Sequence, residues 1–145
     1  MSKITLQSGV KRIQVNENGD CITFDTRDQG FLAEMVALTK YFEAKRPEYR
    51  AKLAEIEAMP SSTQEEQIAR AAAACDFNMK VCEHLKQQVD NIFHDEVCRK
   101  VFGNITPTVD AFAEFFLQLA PIVRTAQAER QEKVRKYTDK YRRGE

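Results

Sequence analysis

Ile13-Gln14-Val15-Asn16-Glu17-Asn18-Gly19-Asp20-Cys21-Ile22-Thr23-Phe24 is the stretch that decides how this chain folds. Apolar and polar residues alternate on both sides of Asn18-Gly19, and a period of two is the signature of a strand with one buried face. Asn-Gly is the favoured two-residue hairpin turn, because a type I′ turn needs positive φ at both central positions. A turn placed there sets Val15 opposite Ile22 and Ile13 opposite Phe24, with all four side chains on one face. A two-stranded hairpin does not hold by itself, so that face must lie on another element.

The element that follows supplies the cover. Asp28 is a suitable N-cap for a helix with apolar positions at Phe31, Met35, Leu38 and Phe42, widened by Leu32 and Val36. Pro47 predicts the end of that helix, since the residue before proline is pushed out of the α region. A short second helix then carries Tyr49, Leu53 and Ile56 on one side, with a Glu48–Lys52 pair at i,i+4, and stops at Met59-Pro60-Ser61-Ser62. Ser62 with Glu65, or Thr63 with Glu66, forms a capping box at the start of a long alanine-rich helix. Its apolar positions Ile68, Cys75, Cys82 and Val89 are seven apart, with Ala71, Leu85 and Ile92 beside them and Asn78 as the polar exception. A seam this short, built partly of alanine and cysteine, reads as one face of an intramolecular bundle rather than a coiled coil.

Beyond a break near Phe93-His94-Asp95-Glu96, Asp95 is placed to cap a short helix that Gly103-Asn104 and Pro107 terminate. A last helix starts near Thr108 with Val109, Phe112, Phe115, Phe116, Leu119 and Val123, and Pro121 should kink or divide it. The fold class expected is therefore mainly α: an N-terminal β-hairpin packed on a small helical bundle. The boundaries read as a single domain over residues 1–128, with the hairpin at about 11–25 and helices at about 28–45, 47–58, 63–92, 95–102 and 108–128. Residues 129–145 read as a basic C-terminal helix or flexible arm. The first ten residues carry no strong pattern.

Composition narrows the function classes. The chain has 145 residues, 22 basic against 22 acidic, so no global field draws it to nucleic acid or an anionic membrane. No apolar run is long enough to span a bilayer, and the N-terminus lacks a signal-peptide core, so the expected compartment is the cytoplasm. Cys21, Cys75, Cys82 and Cys98 form no C-x-x-C pair and read as reduced, packed thiols. Asp90, His94 and Cys98 are spaced four apart, but zinc needs a closed set of three or four ligands and no second pair completes one. The five glycines are scattered, so there is no phosphate-binding loop. The expectation is a non-enzymatic protein without metal or cofactor, the alternative enzyme being one that uses Cys98 and His94 and so needs an activated thiol.

From Glu129 to Glu145 seven cations (Arg130, Lys133, Arg135, Lys136, Lys140, Arg142 and Arg143) oppose four anions, leaving +3, with Tyr137 and Tyr141 between them. This is the basis for an alternative function, a small nucleic-acid-associated phage or bacterial regulator. Yet +3 with interspersed acids is a small footprint for phosphate contacts, and last-turn cations also suit a helix dipole. The aromatic stretch is a stronger lead: Phe112, Phe116 and Leu119 share one face while Phe115 points away from it, and a helix apolar on two sides must bury both.

The order of parts resembles a known family. The hairpin leads into a Phe31-Leu32 helix and a helical middle. Then come Cys98-Arg99-Lys100-Val101-Phe102-Gly103-Asn104-Ile105-Thr106-Pro107, the Phe112-Ala113-Glu114-Phe115-Phe116 helix and a basic end. This layout, over most of the chain, resembles the small tail-assembly chaperone-like proteins encoded by phages and prophages of Gram-positive bacteria. The resemblance implies binding to the long, apolar phage tape-measure protein, keeping it soluble until tail-tube subunits take over. It leaves room for homo-oligomers, since many copies line one tape-measure molecule. From apolar pattern alone, the expected partner-binding residues are Phe112, Phe115, Phe116 and Leu119, together with Ile68, Ala72 and Met79 on the alanine-rich helix.

Overall fold

Alternation at the N-terminus produces an antiparallel hairpin of β1 (Val10–Gln14) and β2 (Cys21–Asp25) in the computed structural model, which describes residues 1–143. Ile13, Val15, Ile22 and Phe24 do share a face, but the register differs from the one expected by two residues. Ile13 pairs with Ile22 and Lys11 with Phe24. The turn is wider than two residues: the Val15 N–H donates to the Asp20 carbonyl at 3.0 Å, and the Gly19 N–H to Asn16 at 3.4 Å. Only Gly19 takes positive φ, at 86°. The Asn16 carboxamide holds the loop by accepting from the Asp20 N–H at 3.1 Å. An Asx-type bond thus competes successfully with the type I′ turn, and an even slip leaves face membership intact.

Helix α1 (Gln29–Glu57) begins where Asp28 accepts from the Phe31 N–H at 3.1 Å, and then runs straight past Pro47. The two helices expected at 28–45 and 47–58 are one. An interior proline costs a hydrogen bond and roughly 3 kcal/mol. Phe42 and Tyr49, one on each side of it, are both buried with ring centroids 6.2 Å apart, and burying each contributes about 1.5–3 kcal/mol. Pro47 itself faces solvent, so its ring disturbs no packing. Glu48 pairs with Lys45 rather than Lys52, which instead approaches Glu55. Helix α4 (Val109–Arg143) repeats the pattern: exposed Pro121 lies between buried Leu119 and Val123 and does not divide it.

Thr63 caps α2 (Gln64–Phe93) by accepting from the Glu66 N–H at 3.1 Å, and His94 ends it in a left-handed conformation. Short α3 (Val97–Phe102) is not capped as expected. Asp95 accepts from the Glu96 N–H and pairs with Lys100, whereas Asp90 reaches back from α2 to accept from the Cys98 N–H at 3.0 Å. Asn78 has a comparable role. Its carboxamide oxygen accepts from the Val109 N–H at 3.2 Å, joining the first turn of α4 to the middle of α2.

Contacts along the helices give their directions. Tyr41 meets His84 and Tyr49 meets Phe77, so α1 and α2 are antiparallel. Phe42 meets Phe116 while Leu32 and Met35 lie near Val123 and Gln127, so α1 and α4 are antiparallel too. Helices α2 and α4 therefore point the same way, with α4 starting at the level of Asn78. Two ends project beyond the shared core. At one, the C-terminal part of α1 packs on the N-terminal part of α2, and buried Ile56 stands apart from the continuous core. At the other, α4 runs on as helix through the basic region to Arg143, so the residues expected as a separate helix or arm continue the aromatic helix. Gly144 and Glu145 lie outside the described residues.

Two substitutions test this account of α1. Phe42→Ala is expected to lower unfolding stability by about 3–5 kcal/mol. Pro47→Ala should raise it by roughly 1–3 kcal/mol, because an exposed interior position regains its hydrogen bond. Urea titration followed by circular dichroism measures both, and a Pro47→Ala protein no more stable than the parent would show that proline carries no cost there.

Candidate functional site

The hairpin's apolar face does not close completely on the helices. Ile13 of β1 and Val15 just after it, Val101 and Phe102 of α3, and Phe115 and Ile122 of α4 surround a groove of about 490 Å3, with Leu119 at its base. Gln14, Glu114 and Gln118 are its polar margin. A shallower hollow beside Lys11, Arg12, Pro121, Thr125 and Glu129 shares Ile13 and Ile122 with it, so the depression continues along α4. From Ala111 to Glu129 that is about 27 Å at 1.5 Å per residue.

Polar bonds fix the walls. The Asn16 carboxamide donates to the Lys100 carbonyl at 3.0 Å, and the Lys100 ammonium donates to the Cys21 carbonyl at 3.1 Å and to Asp95 at 2.6 Å. The hairpin tip and α3 are thereby tied together, and the Asp90 bond to Cys98 ties α3 to α2. Phe115 is held at the rim by Phe102 and Phe116, both with ring centroids 5.8 Å away.

Of the residues expected to bind a partner, the structure separates three kinds. Phe112 and Phe116 are 0% and 5% exposed and belong to the core, which corrects their reading as contact residues. They pack on Phe42, Phe102 and each other, so a partner cannot reach them without opening the bundle. Leu119, 3% exposed, is also core but forms the base of the groove. Phe115 is half-buried and lines the groove. Ile68 at 62%, Met79 at 43% and exposed Ala72 lie on a free side of α2, away from the groove. The expected seam accordingly divides: Cys82, Leu85, Val89 and Ile92 are core, while Ile68 and Cys75 are exposed. Val101, Phe102 and Ile122 join the groove without having been expected there. Their only sequence signal is apolar character next to a loop or proline, which does not say which side they line.

The residues tested for chemistry are put to structural use. Asp90 caps α3, His94 is exposed at the end of α2, and Cys98 is buried. Burial, reinforced by the Asp90 carboxylate, pushes the Cys98 thiol up to about 12, the reverse of what a nucleophile needs. Burial alone pushes Cys82 up to about 11. Among the described residues there is no group of three or more metal-ligating side chains, and no helix is long and apolar enough to cross a membrane.

Comparison with protein-family models, with curated proteins and with solved structures yields no match. The reading of the groove therefore rests on its own geometry.

The thiols give a direct check. Exposed Cys75 should react with iodoacetamide at pH 8 before Cys82 and Cys98, which should label only on unfolding; mass mapping of early adducts reads the order. Both buried thiols stay protonated in the folded chain, so their contribution to stability is complete below the ordinary thiol value of 9.0. It is lost as pH rises from there through about 11 and 12. Denaturant midpoints measured from pH 8 to 11 should fall, and less steeply in Cys98→Ala.

Proposed function

We propose that this protein is a non-enzymatic binder of apolar helices, a phage tail-assembly chaperone that keeps the tape-measure protein soluble while a tail is built. The observation that carries the reading is the groove. It is apolar along Ala111–Ile122, about 17 Å, continues into a hollow lined in part by Lys11, Arg12, Thr125 and Glu129, and is bounded by elements tied together through polar bonds. The apolar part suits a helix of about three turns laid in by its apolar stripe, with anchors at i, i+3, i+4 and i+7. An open trough with an apolar base and few polar groups discriminates little between one apolar helix and another. A protein that coats a long, repetitive helical partner and later yields it to tail-tube subunits needs that kind of weak, tolerant contact. The raised Cys98 thiol and the use of Asp90 as a cap support a binding role over a reaction at those residues.

The test is co-expression with the tape-measure protein or an apolar helical fragment of it, scoring solubility and co-elution. The parent protein should keep the fragment in solution, and Phe115→Ser with Ile122→Ser should lose at least about tenfold in affinity, since each side chain contributes on the order of 1 kcal/mol or more. Ile122 is 41% exposed and Phe115 is half-buried against Phe102 and Phe116, so unchanged circular dichroism verifies the fold of the variant before its binding is read. A fragment that aggregates equally with and without the protein sinks the reading; one rescued equally by parent and variant moves the site elsewhere.

A further inference from the structure

Two apolar helix faces remain uncovered, one at each projecting end, and they match. On α2, Ile68, Ala72, Cys75 and Met79 succeed one another at spacings of four, three and four, all exposed. Helix α1 covers a different side of α2, meeting Phe77 through Tyr49 and facing Ala71 and Ala74 across a shallow hollow. Along the open edge of the stripe stand the acids Glu65, Asp76 and Glu83, with Lys80 between the last two, all exposed and without an ion-pair partner among the described residues. On α4, Val134, Tyr137 and Tyr141 share one side and are 42%, 53% and 65% exposed, the two tyrosine rings 4.8 Å apart. Lys133 and Lys140 flank that side, also unpaired among the described residues, while Glu132 and Asp139 fall on the opposite side by helical geometry.

From these features we infer that copies of this chain associate head to tail, the C-terminal part of α4 of one copy lying on the Ile68–Met79 face of α2 of the next. Two matches carry it. Ala72 and Cys75 leave a shallow centre in the α2 stripe, and Tyr137 and Tyr141 are bulky enough to fill it. Asp76 and Glu83 are seven residues apart, as are Lys133 and Lys140, so one register brings both cations to both acids. Arg135 is already paired with Glu132 and is not needed. Pairing α2 with α2 of a second copy would instead bring its own acids together.

A chain cannot satisfy its own stripe. Helix α4 starts at the level of Asn78 and runs away from Ile68, so Val134 lies about 37 Å beyond that level along a rigid helix. The contact is necessarily between copies, and because the two surfaces differ it is heterologous, adding units in a row or closing a ring. The chain's net charge of +0 hides this polarity, since the acids and cations concerned sit at opposite ends. A row of copies would also set their grooves in series, although the association needs no partner and stands independently of the tape-measure reading.

An interface one helix wide is at the small end of specific contacts, so association is expected on the order of 10–100 µM. Sedimentation velocity on the full chain, without any partner, over a concentration series at low and high salt tests it. The expected result is a mass that climbs from 16.7 kDa with concentration and returns to it at high salt. Lys133→Glu with Lys140→Glu should weaken association at least about tenfold, as should Asp76→Lys with Glu83→Lys. The chain carrying all four changes should regain it. All four side chains are exposed, and unchanged circular dichroism verifies each fold. A monomer at every concentration overturns the inference, including one whose tail binds duplex DNA in a salt-dependent way. So does association indifferent to either reversal, or a fourfold variant that stays as weak as the double ones.

Discussion

Contact between aromatic rings is the constraint on which the remaining structure depends. One network runs from Phe115 to Phe102, Phe112, Phe116, Phe42, Tyr49 and Phe77, with neighbouring centroids 5.0–6.2 Å apart, and so joins α3, α4, α1 and α2. A second, Phe24 to Phe31 to Phe93, joins the hairpin to α1 and α2. All nine phenylalanines of the chain belong to one or the other. Each such pair contributes about 0.5–1.5 kcal/mol beyond the area it buries. That commitment explains why α1 continues through Pro47: breaking it would misalign Phe42 and Tyr49 on the two sides of the break, while in α4 buried Leu119 and Val123 hold the two sides of Pro121 to the same core.

The groove follows from the same arrangement. Phe112, Phe116 and Leu119 turn inward to complete the core, leaving Phe115 on the flank of α4, where the hairpin covers it only in part. Side-chain carboxamides and carboxylates then hold the walls. Asn16 reaches α3, Asp90 caps it, and Asn78 caps α4. Each is a polar residue within or beside an apolar pattern, and each satisfies backbone N–H or C=O groups at a place where an element begins or ends. The result is an apolar trough whose walls are joined by polar bonds.

Much of this was legible from residue order. The hairpin, its buried face, the Asp28 cap, a cap at Ser62 or Thr63, the Gly103 stop and the α-helical character of the segments after Asp28 all depend on neighbours within a few positions. Errors arose where a local rule met a competing interaction, near or distant. Asn18-Gly19 satisfies the rule for a tight turn, but the Asn16 side chain offers its own bond to Asp20 and widens the loop. Pro47 satisfies the rule for a helix end, but Phe42 and Tyr49 must reach the same core. The aromatic stretch signalled apolar surface on two sides without saying that one of them was the core.

By itself, the sequence determined which segments are strand or helix and which side of each is apolar, because periodicity, capping and turn chemistry act through the nearest few residues. Only the tertiary structure decided which apolar sides are core and which remain open. It placed Cys82 and Val89 inside but Ile68 and Cys75 outside along a single seam, and Phe116 inside but Phe115 at a rim. The physical reason is that burial is a property of what lies opposite a side chain, and what lies opposite is supplied by residues tens of positions away.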